Sequence, residues 1–104
     1  MASLHKTRGA ILDLLENADY IAEDSIQAAH RFLESAEKSF QLLQENPRIG
    51  KLLEIQPPRR KNFRVWHVSG FPKYMIFYRF EGDRIEVDRI IHASRDLPSI
   101  LEDL

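Results

Sequence analysis

His92 and Arg95 stand three residues apart just after two apolar runs, Lys73 to Phe80 and Arg84 to Ile91, that the turn Glu81-Gly82-Asp83 joins. An imidazole titrates near neutral pH and a guanidinium is a fixed cation. Placed together where a sheet stops, they can clamp an anion or move a proton. In the structural alternative, His92 closes the strand end with a hydrogen bond, and Arg95 pairs with Asp96 or with a carboxylate of the first helix. No second acid or base lies near them in sequence, which favours that alternative.

The densest positive cluster is Arg59-Arg60-Lys61 with Arg64 just beyond. Unpaired cations so close repel one another, so the cluster suits the acidic side chains or phosphates of a partner. Its bland counterpart is a solvated loop and strand start that discourages edge-to-edge pairing. Tyr78 and Arg79 are ambiguous in the same way, Tyr78 leaning towards packing. Arg89 shares a strand face with Ile85, Val87 and Ile91, and a charge there is costly unless paired or left at an open groove. It marks where the helices cease to cover the sheet, or it pairs with Glu86 or Asp88 across a bulge. Trp66 and Phe71 are large aromatics of the kind that anchor interfaces, although such residues more often fill a core.

These residues sit in a chain of 104 residues, 43% apolar and 30% charged, which is the makeup of one ordinary globular domain. No run approaches a membrane span, and the first residues lack the apolar core of a secretory signal, so a cytoplasmic protein is expected. The absence of cysteine removes disulfides, CxxC redox chemistry and thiolate zinc sites. His5, His30, His67 and His92 are too dispersed for a local ligand pair, so neither metal nor cofactor is expected. A net charge of −1 argues against dedicated nucleic-acid binding.

The elements that must position these groups follow from periodicity. From Thr7 to Glu23, Ile11, Leu14, Leu15, Ala18, Ile21 and Ala22 recur three and four apart, which predicts a helix capped by Thr7. Ser25 opens a second helix, with Ala29, Phe32, Leu33, Ala36, Phe40 and Leu43 on one stripe, and Asn46-Pro47 ends it. The two must fold back as a helical hairpin on a sheet. Pro47 to Gly50 makes a tight exit, with Gly50 expected at positive φ, and a loop follows to Pro57-Pro58. Asn62 to Val68 reads as a strand, and Ser69 to Pro72 as a turn. In the next strand Tyr74, Ile76, Tyr78 and Phe80 share one face, opposite Met75, Phe77 and Arg79. Ser3 to Lys6 is a further short strand, and Leu97 to Leu104 can form one or two helical turns. The expectation is therefore an α+β domain: a helical hairpin on an antiparallel sheet of three or four strands, with a short C-terminal helix.

Four pieces in this order resemble the ParE toxins of the RelE/ParE superfamily, also known as plasmid stabilisation proteins. They are Asp13-Leu14 with Ala18 to Ala22, Pro47 to Gly50, Ile76 to Arg79, and Ile90 to Leu97. The resemblance covers nearly the whole chain. It implies a toxin encoded beside a small ParD-like antitoxin, and for ParE-like members the poisoning of DNA gyrase. RelE-like members instead cleave messenger RNA in the ribosome, with a set of Lys, Arg and a late Tyr or His-Tyr pair. Here no tyrosine follows Arg95, the last one being Tyr78, and the chain is slightly acidic where ribosome binding demands a basic one. Both departures favour the gyrase branch, with an endoribonuclease or an inactive, partner-binding toxin as the alternatives. On this reading Arg59, Arg60, Lys61, Arg64, Trp66, Arg79 and Arg89 are the partner-binding candidates, and His92 and Arg95 the minority catalytic ones. A partner is expected to cover an apolar sheet face that the hairpin leaves bare.

Overall fold

The computed structural model describes residues 1–53 and 63–95. The cluster Arg59-Arg60-Lys61 and the helical turns expected over 97–104 lie outside them. In chain order the elements are β1 (Ser3–Lys6), α1 (Arg8–Ala22), α2 (Ile26–Glu45), β2 (Lys51–Leu52), β3 (Phe63–Val68), β4 (Phe71–Glu81) and β5 (Arg84–His92).

Both helices begin where a hydroxyl residue satisfies an orphan amide. Thr7 Oγ1 accepts from Ala10 N at 3.1 Å, and Ser25 Oγ accepts from Ala28 N at 3.1 Å. The Thr7 hydroxyl also donates to the Asp88 carbonyl at 2.9 Å, which ties the start of α1 to β5. Glu23, Asp24 and Ser25 alone separate the helices, so α2 has to return antiparallel to α1. Asn46 N donates to the Leu42 carbonyl as the cap of α2, and Pro47 follows.

The sheet has five strands in the order β1-β5-β4-β3-β2. Sequence reasoning anticipated three or four antiparallel strands, and the structure differs in two respects. β1 pairs parallel to β5, Ser3 opposite Arg84 and Lys6 opposite Val87. The helical hairpin and three strands intervene between them, so the first strand lands beside the last. β2, inside the segment read as loop, pairs antiparallel with β3 through Lys51 and Leu52. The β3–β4 turn is also tighter than expected: Gly70 takes a φ of 77° and Phe71 already belongs to β4.

The core lies between the hairpin and one sheet face. Phe32, Ala36, Phe40 and Leu43 of α2 and Ala10, Leu14 and Ala18 of α1 meet Val68, Tyr74, Ile76, Tyr78, Ile85, Val87 and Ile90. Burying such side chains is the main stabilising term, about 1.5–3 kcal/mol each. The stripe on α1 is rotated from the predicted one. Asp13 is buried, whereas Ile11, Leu12 and Leu15 are 45%, 47% and 55% exposed. On the sheet's other face Phe63, Phe77 and Ile91 are buried too, and among the described residues exposed apolar side chains include Ile11, Leu12 and Leu15 on α1 and Leu52 on β2.

Gly50 corrects a second expectation, for it does not adopt the left-handed conformation. Its constraint is space: a Cβ there would come within 2.5 Å of Tyr78 Oη and 2.9 Å of the Val65 carbonyl oxygen. Tyr78 explains the Pro-x-x-Gly exit. Its hydroxyl accepts from Gly50 N at 2.9 Å and donates to the Pro47 carbonyl at 2.8 Å, pinning both ends of the turn from within the core. Burial raises the pKa of this phenol, against smaller opposing effects of the Gly50 amide and the Arg64 charge, so it stays a neutral donor.

Candidate functional site

Three polar constellations grow out of this frame, all of them involving β5. The first stems from a bulge. Opposite the step from Phe77 to Tyr78, the β5 partners run from Arg89 to Val87, leaving Asp88 without a partner in the ladder. The extra residue changes the phase, so Asp88 and Arg89 serve opposite sides of the sheet. Arg89 turns to α1, where Nε donates to Asp13 Oδ2 at 2.7 Å and Nη2 to Asp13 Oδ1 at 3.0 Å. Asp13 Oδ2 also accepts from Ile90 N at 2.9 Å, and Asn17 Nδ2 donates to the Ile90 carbonyl at 3.0 Å. Two α1 residues one turn apart thus satisfy the backbone of β5 at Ile90, beyond the point where its pairing with β1 ends.

Asp88 faces the other way, into a cluster on the sheet face turned away from the helices. Arg79 Nη2 donates to Glu86 Oε1 at 2.6 Å, and Arg79 Nε to Asp88 Oδ2 at 3.0 Å. The guanidinium carbon lies 5.2 Å from the Phe63 ring centroid. Burial pushes the Asp88 carboxyl above its usual range and Glu86 adds to this, while Arg79 pulls the other way. The bonds to Asp88 hold the Arg79 guanidinium even more firmly protonated.

The third constellation is the end of β5. Ser94 N donates to His92 Nδ1 at 3.0 Å, and Ser94 Oγ lies 2.7 Å from the same nitrogen. A backbone amide only donates, so Nδ1 is the bare nitrogen and Nε2 carries the hydrogen of the neutral ring. The imidazole stands edge-on to Tyr74, 4.8 Å between centroids. A cleft of about 380 Å³ opens beside it, lined by Glu16, Asn17, Tyr20, Tyr74, His92 and Arg95. Burial, and then the neighbouring Tyr20 phenol, raise the pKa of Tyr74, which is a neutral wall of this cleft.

The sequence-based candidates therefore separate. His92 and Arg95 do share one cleft, and α1 brings to it Glu16 and Tyr20, which sequence reasoning missed. Among the described residues Arg95 forms no ion pair with a carboxylate of the first helix. Arg79 and Arg89 are committed to internal pairs, and the partner of Arg89 is Asp13 rather than Glu86 or Asp88. Arg64 donates from Nη1 to the carbonyls of Arg48 at 3.2 Å and Gly50 at 2.9 Å, holding the exit turn. Trp66 is half-buried against the core, and Phe71 stacks edge-on against Phe32 at 5.4 Å.

The family model described as the ParE toxin of the type II toxin-antitoxin system parDE matches residues 4–97. Among solved structures the chain is similar to one titled as the chromosomal ParDE toxin-antitoxin system from P. aeruginosa. The TM-score is 0.69 at 22% identity, covering 88% of this chain and 96% of that one. No curated protein sequence matches the chain.

Proposed function

The chain belongs to the ParE toxin family of type II toxin-antitoxin systems, and from that premise we propose that it inhibits DNA gyrase by protein-protein contact and is neutralised by a ParD-like antitoxin. The observation that carries a non-enzymatic reading is the makeup of the His92 cleft. Strand cleavage by the RelE route needs several cations around a phosphorane-like transition state and a group that delivers a proton. Among the described residues this cleft offers one guanidinium alongside the Glu16 carboxylate, and an imidazole whose Nδ1 is occupied by Ser94. Its two tyrosines come from α1 and the middle of the sheet, not from the chain end.

The exposed apolar stripe of Ile11, Leu12 and Leu15 supports the antitoxin half of the proposal, because an amphipathic partner segment gains most by covering such a surface. The proposed setting is the cytoplasm; among the described residues no helix is long and apolar enough to cross a membrane.

Purified gyrase provides the test. Adding the protein to a supercoiling reaction is expected to trap cleaved plasmid, and its expression to induce a DNA-damage response; gyrase that supercoils unaffected refutes the target. A second reading, ribosome-dependent endoribonuclease, draws on the presence of Glu16 and Tyr20 beside His92 and Arg95. It predicts codon-phased cuts in a translated message that vanish in H92A or R95A. A neighbouring reading frame encoding a small acidic protein with a DNA-binding amino-terminal half would support the antitoxin under either reading. Harmless expression without that partner would point instead to an inactive toxin.

A further inference from the structure

We propose that the end of the β4–β5 hairpin is a docking groove for an extended acidic-apolar peptide segment, one whose carboxylate is read by His92 Nε2–H and Arg95. This goes beyond the gyrase reading and stands or falls independently of the cellular target. The cleft of about 380 Å³ described above is one half of the groove. The other is a shallower basin of about 260 Å³ lined by Gly70, Phe71, Pro72, Lys73, Tyr74 and His92. The two share Tyr74 and His92, so they form one continuous depression across the strand ends.

The chemistry is graded along it. At the first half the Ser94 amide fixes the imidazole so that Nε2–H is the donor left for a ligand, and exposed Arg95 adds a guanidinium. At the second half the surface is apolar, built from Phe71, Pro72 and the Tyr74 ring, with exposed Lys73 at its side. Among the described lining residues, two cations and an imidazole donor outweigh the single carboxylate of Glu16. An extended peptide repeats its side-chain direction every second residue, about 6.6–6.8 Å, so a carboxylate and an apolar side chain two positions later fall in the two halves.

Glu16 decides between peptide and nucleic acid. A phosphodiester backbone carries charge at every residue and meets Glu16 wherever it passes, whereas a peptide has N–H groups that Glu16 can accept.

The probe is an acetylated, amidated octapeptide carrying aspartate and leucine at alternate odd positions with serine between them, titrated into the full chain by calorimetry and by amide NMR shifts. Saturable binding that perturbs Tyr74, His92 and Arg95 is expected. It should weaken about tenfold with asparagine in place of aspartate and about tenfold in R95Q, the usual size of a lost charge-assisted hydrogen bond at a partly exposed site. K38Q, an exposed change on α2, should bind as the parent does, and circular dichroism checks that each variant folds. No saturable binding, equal binding of the asparagine peptide, or an unaffected R95Q overturns the proposal. So does tighter, Arg95-dependent binding of a single-stranded hexaribonucleotide, or an Arg95-dependent self-association in sedimentation, since each assigns the groove a different occupant.

Discussion

Replacing Asp13 by alanine removes the carboxylate that holds β5 to α1, and its cost can be worked from three contacts. The Ile90 amide is buried and loses its acceptor, which costs about 1–3 kcal/mol. The bidentate pair with Arg89 is lost as well. Breaking a fully buried pair costs about 3–5 kcal/mol, but the Arg89 side chain keeps 27% of its exposure and water can reach it, which brings the figure down to about 2 kcal/mol. The total of about 3–5 kcal/mol is a large share of the 5–15 kcal/mol typical of a small domain, and corresponds to a fall in Tm of roughly 12–40 °C. Urea unfolding followed by the fluorescence of Trp66 measures it. The decisive comparison is the cycle D13A, R89A and the double variant. Because each single change strands the other group, the double variant should cost less than the sum of the singles, with a coupling of about 2 kcal/mol. Replacing both residues by leucine should recover most of the stability. A D13A cost below about 1 kcal/mol, or strict additivity, refutes the account of Asp13 as the strut beneath the bulge.

The Tyr78 pin predicts that Y78F, which leaves the Gly50 amide and the Pro47 carbonyl without their shared hydroxyl, costs about 2 kcal/mol in the same assay. G50A should cost about 1–3 kcal/mol, since the Val65 carbonyl it meets is backbone and cannot swing aside. The Asp88 carboxyl has a pKa raised on folding, so the folded chain holds its proton more tightly than the unfolded one. Its contribution is therefore most favourable below the unfolded value of 3.8 and declines as pH rises from there through the raised folded pKa. The stability of the parent relative to D88N should fall over that span, and a flat difference between pH 3.5 and 7 would refute it. On the apolar stripe, L12D and L15D should weaken capture by a co-expressed antitoxin about tenfold or more while leaving the isolated fold intact, as pull-down and circular dichroism would report.

The helices, their caps and the three antiparallel strands were legible in the sequence because each rests on a local period or a hydroxyl cap. The stripe on α1 was misjudged in part because periodicity weighs apolarity alone: Ile11 and Leu15 fitted a face that the helix does not bury, and the charged Asp13 fell outside the stripe. The usable signal was a pair of misfits of opposite sign, Asp13 beside an apolar stripe and Arg89 on an apolar strand face. The β1–β5 pairing could not be seen, since a four-residue strand says nothing about its partner until the crossover is known. For the corner at His92, proximity in sequence brought Arg95 to notice, whereas Glu16 and Tyr20 arrive only through the docking of α1. Gly50 was flagged rightly as special but for the wrong reason, because a steric demand imposed by Tyr78 leaves no local mark.

The contact between the first strand and the last sets a timetable for synthesis. Thr7 waits for the carbonyl of Asp88, a separation of 81 residues, and Asp13 waits for Arg89. At a ribosomal pace of about 5–20 residues per second, the helical hairpin spends several seconds outside the ribosome with its core face uncovered. The groove is later still, since it joins α1 to Ser94 and Arg95. A nascent or truncated chain thus displays neither a closed sheet nor a finished groove, and the binding surface assembles only once the last strand has emerged.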